Sequence, residues 1–551
     1  MICTIPARVR ACCCLPTILS PIHFETRRTM CPTTGTTAPS AAPAVAKQTD
    51  AVDYIVIGAG SAGCVIADKL SCDPNIRVLV LEAGPMDDSV LIQDPNDYLK
   101  VRNTQYDWSF KTTPQVHMNG RTIGCPRGKT LGGSSSINAM LYVRGNRLDY
   151  DAWAYEGYSG WSYNDLLPIF VAQEDNELGV SRYHGINGPL TVRNYPLPGE
   201  PATAFLQAGL QYGYDGPNWD FNAECQENGV GYYQMTIRDG LRCSLAKAFL
   251  HPEMYRKNLT VLTNCKVLRL INNGNRIVGV EYMTESGQLT RTYADRETVL
   301  CAGAICSPWL LMLSGIGPAD DLRRLQIPVL LDLPGVGQNL QDHVQLSMAW
   351  AVEGKTAPIF GSGVQAGLFV RTKHRPLASS PDLQFHFWQG LEGTQPVMST
   401  TPTLARPSSV GRVSLLSADP NTPPLINPNY LSTQSDVDIL VEGIKLSREI
   451  LAQRAFDGVR GAELEPGPNV TSDKDLAAYV RANGYTIYHV SCSCKMGFDA
   501  MSVVDPELRV YGLEGLRIAD ASVMPWIINA NLNATCAVIG QRATDMIHAS
   551  H

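Results

Sequence analysis

Residues 53–70 read DYIVIGAGSAGCVIADKL, a β-branched apolar run followed by three glycines in G-x-G-x-x-G spacing and then a helical pattern. A strand that passes through a glycine-rich turn into a helix is the context of a dinucleotide-binding unit. In such a unit Gly58 makes the tight turn, Gly60 lets the backbone approach a pyrophosphate, and Gly63 lets the helix pack closely on the strand. The phosphates lie at the helix N-terminus. The stretch therefore predicts a Rossmann-like α/β unit.

The next apolar strand supports a dinucleotide ligand. RVLVLEAG (77–84) contains Glu82, nineteen residues after Gly63, where a carboxylate can accept hydrogen bonds from the ribose hydroxyls of an adenosine. An acid at this place disfavours a 2′-phosphate. Glycine-rich turns are common by themselves, so the prediction rests on the strand, the helix and Glu82 together.

Composition and charge argue against several classes of protein. The 551 residues carry a net charge of −7 without a long basic run, which argues against nucleic-acid binding. No apolar stretch reaches the roughly 18 residues that a membrane-spanning helix needs, so any membrane contact is expected to be peripheral. The sixteen cysteines are scattered through apolar segments, which favours reduced thiols and an intracellular protein of otherwise unknown location.

The first 50 residues differ from the rest of the chain. Four arginines outnumber the acid Glu25, and a run rich in Thr, Ala and Pro, PTTGTTAPSAAPAVAK (32–47), follows them. We expect this leader to be disordered. Two interpretations stay open: an organelle-targeting segment, which is typically rich in arginine and poor in acids, or a start assigned upstream of the true one at Met30.

A second glycine-rich segment, CPRGKTLGGSSSINAMLYVRG, occupies residues 125–145. One interpretation is a mobile loop. The other is a second binding segment, in which Gly132, Gly133 and the serine run offer backbone N–H groups to another polar part of an extended ligand.

A series of motifs follows one another along the chain. They are GAGSAG (58–63), LEAGP (81–85), PRGKTLGGSSSINAM (126–140), CAGAICSPWLLMLSGIGP (301–318), LPGVGQNLQDH (333–343), YHVSCSCKMG (488–497) and NANLNAT (529–535). With this set the chain resembles the glucose-methanol-choline (GMC) oxidoreductases, a flavoprotein family, from about Tyr54 to Ile547. Within the family it most resembles FAD-dependent acceptor-type alcohol dehydrogenases and choline dehydrogenases.

The resemblance implies an FAD cofactor held at defined positions of this chain. It places the ADP half at Gly58, Gly60, Gly63 and Glu82, the adenine near Val267, the pyrophosphate near Asp520 and Ala521, and the flavin ring along Gly132, Gly133 and Asn138, with Asn533 facing the ring. Ile137 stands where some relatives carry a histidine bonded to the flavin, so the FAD is expected to be noncovalent.

The same resemblance assigns the catalytic groups. Oxidation of an alcohol by hydride transfer to flavin N5 requires a base for the hydroxyl proton, and imidazole titrates near neutrality. His489 stands at the position of the family's base, and Asn531 at that of a partner which hydrogen-bonds the developing alkoxide. We expect oxidation of a small-molecule primary alcohol to an aldehyde, with electrons passed to a quinone or another acceptor. The alternatives are an oxidase that uses O₂ and, ranked lower, a photodecarboxylase or hydroxynitrile lyase.

The motif YHVSCSCKMG (488–497) has other interpretations. Without the resemblance, His489 would more readily be a structural histidine that satisfies a buried carbonyl. Cys492 and Cys494 have C-x-C spacing, unlike the usual zinc spacing, and no second Cys/His pair accompanies them, so no metal site is predicted. Cys492 stands where relatives usually have glycine. His343 is expected to be structural, and His386 to lie in a pocket wall.

The chain is expected to fold as two interleaved units. The family resemblance implies an FAD-binding domain of residues 51–145, 225–345 and 485–551. It implies a substrate-binding domain, an α+β unit on an antiparallel sheet, of residues 146–224 and 346–484. SPDLQFHFW (380–388) and GRVSLLSA (411–418) show the alternation expected of strands in that sheet, and VDILVEGIKLSREILAQ (437–453) predicts an amphipathic helix. The identity of the alcohol, the choice between oxidase and dehydrogenase, and the oligomeric state do not follow from the sequence.

Overall fold

The computed structural model describes residues 47–48, 51–353, 359–376 and 378–550, so the expected leader lies outside the described residues except for Lys47 and Gln48. The α-helices are α1 (Ser61–Ser71), α2 (Val90–Gln93), α3 (Arg147–Tyr155), α4 (Tyr163–Gln173), α5 (Glu200–Tyr212), α6 (Gly303–Leu313), α7 (Ala319–Arg324), α8 (Gln434–Leu451), α9 (Asp473–Asn483) and α10 (Leu532–Ser550). The strands are β1 (Lys47–Gln48), β2 (Val52–Ile57), β3 (Val78–Leu81), β4 (Phe110–Lys111), β5 (Gly124–Cys125), β6 (Leu141–Tyr142), β7 (Glu174–Asn176), β8 (Leu190–Asn194), β9 (Val230–Tyr232), β10 (Gln234–Met235), β11 (Ile237–Arg238), β12 (Leu241–Arg242), β13 (Leu259–Leu262), β14 (Lys266–Asn273), β15 (Arg276–Met283), β16 (Leu289–Leu300), β17 (Ile316–Gly317), β18 (Leu331–Asp332), β19 (Val344–Gln345), β20 (Met348–Val352), β21 (Val364–Val370), β22 (Leu383–Glu392), β23 (Gln395–Leu404), β24 (Arg412–Ser414), β25 (Leu425–Asn427), β26 (Arg460–Glu465), β27 (Tyr485–Thr486) and β28 (Leu516–Ile518).

The first large sheet, here called the nucleotide sheet, has the strand order β13-β3-β2-β16-β15-β14, and β28 and β1 also pair with β16. Strands β13, β3, β2, β16 and β28 are parallel, and the buried apolar sequences of β2 and β3 are typical of parallel strands covered on both faces. Strands β2, β3 and β16 end in register. The residues that follow them, Gly58, Glu82 and Cys301, therefore lie together at the carboxyl edge of this sheet.

The second large sheet, here called the substrate sheet, has the order β26-β20-β23-β22-β21-β9 with antiparallel neighbours throughout, and β19 pairs with both β23 and β27. Leu383, Phe385 and Phe387 of β22 share a buried apolar core with α5 and α8. Because side chains alternate along a strand, His386 and Trp388 face the other way.

The sheets confirm the α/β fold class, a Rossmann-like unit combined with an α+β unit on an antiparallel sheet. The run 380–388 largely coincides with β22, and 437–453 with α8. The placement of 411–418 in the substrate sheet was wrong. Strand β24 pairs with β25 in a separate two-stranded ribbon, because Val413 and Ile426 pack into the core that surrounds the nucleotide sheet.

The domain boundaries stay a prediction. Strand β9 pairs with β21 of the substrate sheet, although it falls in the segment 225–345 that the sequence assigns to the FAD-binding domain. Within the described ranges, no helix combines the length and apolar content that crossing a bilayer requires.

A buried ion pair ties β28 to β16 inside the nucleotide sheet. Arg517, whose side chain is 1% exposed, donates from Nε to Oε2 of Glu297 at 2.6 Å and from Nη2 to Oε1 at 3.2 Å. Its Nη1 donates to the carbonyl oxygen of Glu507 at 2.6 Å. Removal of one partner from such a pair leaves the other charge buried, which costs more free energy than the pair contributes.

We predict that Arg517→Met lowers the free energy of unfolding by about 3–5 kcal/mol, because the carboxylate of Glu297 loses both hydrogen bonds from the guanidinium in a buried setting. Thermal and urea denaturation of the purified protein measure the change. The matched control is Arg323→Met, since Arg323 pairs with Asp320 at side-chain exposures of 66% and 94% and should matter little. Equal midpoints for the two variants would contradict the prediction.

Candidate active site

A cavity of about 580 Å³ is lined by the carboxyl edge of the nucleotide sheet and by one face of the substrate sheet. Most of the predicted site residues line it: Gly58, Gly60, Glu82, Gly133, Asn138, Val267, His489, Asp520, Ala521, Asn531 and Asn533. Gly63 and Gly132 are outside the lining and shape the turns beside it.

The glycine turn after β2 leaves the backbone open to this cavity. Gly58 has a φ of +95°, and a Cβ there would come within 2.7 Å of the carbonyl oxygen of Cys301. A Cβ at Gly63 would lie 2.1 Å from the carbonyl oxygen of Gly58, so α1 packs against the turn only because this residue is glycine. A Cβ at Gly60 would meet nothing closer than 3.7 Å. A ligand can therefore approach the backbone at Gly60.

Three helices begin at the cavity: α1, α6 and α10 contribute Ser61, Gly303 and Leu532 to its lining. Gly60 caps α1 without a side-chain hydrogen bond, so N–H groups of the first turn are left for a ligand. Asn533 Oδ1 accepts from Ser61 Oγ at 2.7 Å and ties the start of α10 to the start of α1. Helix N-termini carry partial positive charge, and this end of the cavity is therefore suited to an anion such as a pyrophosphate.

Glu82 fixes the backbone on both sides of the glycine turn. Its Oε2 accepts from the N–H of Ala59 and its Oε1 from the N–H of Gly84, both at 2.9 Å. Burial raises the pKa of Glu82 to about 7, and these hydrogen bonds oppose the shift. The carboxyl group is thus held at the cavity edge in one orientation, within the region where a ribose is expected.

Asp520 is the second carboxyl group at the nucleotide end. Its Oδ2 accepts from the N–H of Gly303 at 2.8 Å and from Ser307 Oγ at 2.6 Å, and its Oδ1 accepts from the N–H of Ser522 at 2.8 Å. Burial raises the pKa of Asp520. The side chain therefore holds the first turn of α6 against the segment that carries Ala521.

Val267 lies in an aromatic part of the lining. Lys266 places its Nζ 5.0 Å from the ring centroid of Trp309 and 5.8 Å from that of Trp108. Both indoles line the cavity with Val267. Flat apolar walls beside a cation suit a planar base such as adenine.

The second glycine-rich segment lies across the first turn. The N–H of Gly132 donates to the carbonyl oxygen of Ala59 at 2.7 Å. Buried Arg242 holds the segment by donating from Nη1 to Oδ1 of Asn138 at 2.8 Å and to the carbonyl oxygens of Asn138 and Ser135 at 2.7 and 3.3 Å. Burial lowers the pKa of Arg242 to about 9. The sequence reasoning missed this residue because Arg242 lies outside every glycine-rich motif.

The cavity thus fits an extended dinucleotide. An open turn at Gly60, converging helix N-termini and an aromatic recess at Val267 suit the ADP half, and the segment 132–138 continues the lining toward His489.

Two histidines form the polar centre at the other end. His343 Nε2 lies 3.0 Å from the carbonyl oxygen of Ile528, and since a carbonyl only accepts, this nitrogen carries the proton. In a neutral His343 ring Nδ1 is then an acceptor, and it lies 2.9 Å from Nδ1 of His489. His489 therefore donates from Nδ1 and leaves Nε2 unprotonated. Nδ2 of Asn531 lies 3.4 Å from that Nε2.

Asp342 fixes the backbone of both histidines. Its Oδ1 accepts from the N–H of His343 at 2.9 Å and from the N–H of His489 at 2.8 Å. Its Oδ2 accepts from the hydroxyls of Tyr430 and Thr486. The sequence analysis did not single out Asp342 and expected His343 to be structural, although both residues lie in the NLQDH motif.

Both imidazoles are held in the neutral form. Burial lowers the pKa of His343 to about 3. Burial, together with His343, His386 and Arg127, lowers the pKa of His489 well below its ordinary value. Nδ1 of His343 can accept a hydrogen bond only when the ring is neutral. The pKa shifts therefore agree with the donor directions from His489 to His343 to Ile528.

The backbone around His489 is strained. Tyr488 and Cys492 have φ values of +70° and +73°, which side-chain-bearing residues rarely adopt. Arg102 donates to the hydroxyl of Tyr488 at 3.0 Å, and Arg127 donates to its carbonyl oxygen. The glycine that relatives usually have in place of Cys492 is thus explained by the left-handed backbone. Cys492 and Cys494 are buried, and within the described ranges no cluster of three or more His, Cys, Asp or Glu side chains is placed to hold a metal ion.

The substrate sheet contributes two ring-bearing and two hydroxyl side chains to the cavity wall. His386 and Trp388 of β22 pair in register with Thr401 and Ser399 of β23, and all four line the cavity. Burial lowers the pKa of His386 to about 4. His386 therefore lies in the pocket wall, as the sequence predicted.

Comparison with known proteins agrees with the geometry. The family model "GMC oxidoreductase" matches residues 52–345 with its N-terminal part and 407–540 with its C-terminal part. Mitochondrial choline dehydrogenase of Mus musculus is 42% identical, over 90% of this chain and 89% of that protein. Oxygen-dependent choline dehydrogenase of Pseudomonas aeruginosa is 41% identical, over 90% and 94%. The crystal structure of pyridoxine 4-oxidase from Mesorbium loti superposes with a TM-score of 0.84 at 32% identity, over 91% of this chain and 100% of that one.

The family identified from the motifs is therefore confirmed. GMC oxidoreductases bind FAD, and the chain belongs to the GMC family as an FAD-dependent oxidoreductase that acts on CH–OH donors.

Proposed function

We propose that this chain oxidises a primary alcohol to an aldehyde, with His489 as the base, Asn531 as the hydrogen-bond donor to the substrate oxygen, and a quinone or another acceptor receiving the electrons. The observation that supports it best is the chain of hydrogen bonds from Nδ1 of His489 to His343 and from His343 to the carbonyl oxygen of Ile528. This chain leaves Nε2 of His489 unprotonated and able to take up a proton, with Nδ2 of Asn531 3.4 Å away. Both side chains line the same cavity as the glycine turn at Gly60.

The reaction follows from these groups. His489 Nε2 takes the hydroxyl proton, and the N–H of Asn531 stabilises the negative charge that develops on the alcohol oxygen. FAD, when bound, supplies the flavin N5 that takes up the hydride from the alcohol carbon. The carbon thereby loses two electrons and one hydrogen, the oxygen loses one proton, and the product is the aldehyde. Asp342 acts through the two histidine backbones and keeps the base in place.

We also propose the residues that hold the cofactor. The ADP half would lie against Gly58, Gly60, Gly63, Glu82 and Val267, the pyrophosphate against Asp520 and Ala521, and the flavin ring against Gly132, Gly133, Asn138 and Asn533. Ile137 is buried in the lining at the position where some relatives attach the flavin, and its aliphatic side chain cannot form that bond. The FAD is therefore proposed to be noncovalent.

We predict that His489→Asn slows flavin reduction by about 10²–10⁴-fold, because the alcohol proton loses its acceptor. Anaerobic stopped-flow mixing of the holoenzyme with a panel of primary alcohols, followed at the flavin absorbance, measures the rate. The control is His117→Asn, a histidine outside the cavity lining, which should reduce at the wild-type rate. Equal rates in both variants would rule out His489 as the base. Reoxidation by air or by a quinone then distinguishes an oxidase from a dehydrogenase.

The lowered pKa of His489 leads to a prediction about how the rate of flavin reduction depends on pH. A base with an ordinary histidine pKa loses its proton-accepting form as the pH falls through about 6.5. Because the pKa of His489 is lowered, the accepting form persists below that pH, and the reduction rate should be constant between about pH 6 and 8. A rate that halves near pH 6.5 in wild type would contradict this.

We predict that His343 acts as a positioning residue. His343→Leu removes the acceptor for Nδ1–H of His489, so the limiting rate of flavin reduction should fall about tenfold or more while the alcohol Kd changes little. His343→Gln keeps a side-chain acceptor and should recover part of the rate. If the flavin is reduced equally fast in the Leu and Gln variants, the hydrogen bond between His489 and His343 has no catalytic role.

Noncovalent FAD gives a direct prediction. Precipitation of the holoenzyme with acid should release yellow FAD into the supernatant, because Ile137 offers no atom for attachment. The control is a protein with covalently bound flavin treated in the same way, whose colour stays in the pellet. Colour that remains with this chain's pellet would show a covalent bond.

A further inference from the structure

The substrate half of the cavity has a neutral polar wall. It consists of Gln345, Ser347, His386, Ser399 and Thr401, which all line the cavity. Ser347 Oγ lies 3.0 Å from Ser399 Oγ, and Thr403 Oγ1 donates to Gln345 Oε1 at 3.4 Å. These hydroxyl and amide groups carry no charge, and the lowered pKa of His386 keeps that imidazole neutral.

The carboxyl groups of the cavity lie elsewhere. Among the lining residues that the structure describes, Glu82 and Asp520 are the acids, and both accept backbone N–H groups at the nucleotide end. Asp342 is close to His489 but is buried behind it and already accepts four hydrogen bonds. A cation in the substrate half would therefore meet no free anionic partner in this lining.

Two of the tyrosines in this part of the lining, Tyr98 and Tyr488, already have a cation beside their rings. Arg102 lies over the ring of Tyr488 at 4.7 Å and over that of Tyr98 at 5.8 Å. Two faces that could bind a quaternary ammonium group are thus already next to a guanidinium, which would repel a second cation. Trp388 directs its Nε1–H to the carbonyl oxygen of Ser362 at 2.9 Å, which fixes the indole in the wall.

We propose that the site selects an uncharged primary alcohol over a quaternary ammonium alcohol, and that Gln345 is the residue that sets this preference. The proposal rests on the proposed alcohol oxidation and deepens it. Gln345 lies two residues after His343 on the strand β19, and its amide has the size of a carboxylate without the charge. Besides the proposed catalytic residue Asn531, Gln345 is the amide of the substrate half that a single isosteric change would convert into an anion.

A pair of probes of equal shape tests the proposal. Choline and 3,3-dimethylbutan-1-ol differ in that a quaternary nitrogen replaces a quaternary carbon. We expect the wild-type holoenzyme to show a kcat/KM for the neutral alcohol about tenfold or more above that for choline, since the charged group finds no partner. A higher kcat/KM for choline, or oxidation of both alcohols with equal kcat/KM, overturns the proposal.

The Gln345 variants test which residue sets the preference. Gln345→Glu should raise kcat/KM for choline by about tenfold while leaving 3,3-dimethylbutan-1-ol nearly unchanged or slower. Gln345→Met is the control, because it has similar length and no charge and should keep the wild-type order of the two alcohols. A choline gain in the Met variant, or no gain in the Glu variant, removes Gln345 from the proposal.

Equilibrium binding separates this inference from the proposed reaction. Calorimetric titration of the His489→Asn holoenzyme under anaerobic conditions gives Kd values without turnover. Tighter binding of 3,3-dimethylbutan-1-ol than of choline, with the order reversed when Gln345→Glu is added, supports the inference. This holds even if the wild-type enzyme oxidises neither alcohol. Absence of oxidation would instead defeat the proposed reaction. Tighter binding of choline, or binding of neither alcohol, defeats the inference.

Discussion

The contact between Gly63 and the carbonyl oxygen of Gly58 is the constraint on which the rest of the site depends. With a hypothetical Cβ only 2.1 Å from that oxygen, any larger residue would force α1 away from β2. The contact fixes the N-terminus of α1 at the carboxyl edge of the nucleotide sheet. Glu82 and Asp520 then tie further backbone N–H groups at that edge, because strands β2, β3 and β16 end in register there. The cavity exists where these elements meet the substrate sheet.

The arrangement of the two histidines at the far end of the cavity rests on one buried carboxyl group. Asp342 binds the backbone N–H groups of His343 and His489, which are 146 residues apart in the chain. Four donors compensate its charge, so the carboxylate can stay buried beside two imidazoles without forcing either to protonate. Desolvation lowers the pKa of both rings, and neutral rings are what the donor order from His489 to His343 to Ile528 requires.

The strands and helices of the nucleotide-binding unit could be predicted from local sequence patterns. Parts of the site could not be predicted in this way. The strand, glycine turn and helix at residues 53–70 are contiguous, so their geometry is written in adjacent residues. Arg242 binds Asn138 from 104 residues away, and its contact depends on tertiary packing that brings β12 to the second glycine-rich segment. The run 411–418 has strand alternation, but alternation does not say which sheet a strand joins. Cys492 was visible as a departure from the family, and only the backbone angle shows why glycine is common there.

Similarity to choline dehydrogenases concerns the frame that the sequences share, whereas substrate preference depends on a few side chains of the substrate sheet. A carboxylate among Gln345, Ser347 and Ser399 would attract an ammonium group, but it would also oppose the negative charge that develops on the alcohol oxygen. A cationic substrate carries the charge that cancels this repulsion, and an uncharged substrate does not. For an uncharged alcohol the favourable wall is therefore neutral, and the proposed donor Asn531 would stabilise the alkoxide. The neutral wall and the neutral pair of imidazoles are thus two parts of one electrostatic arrangement.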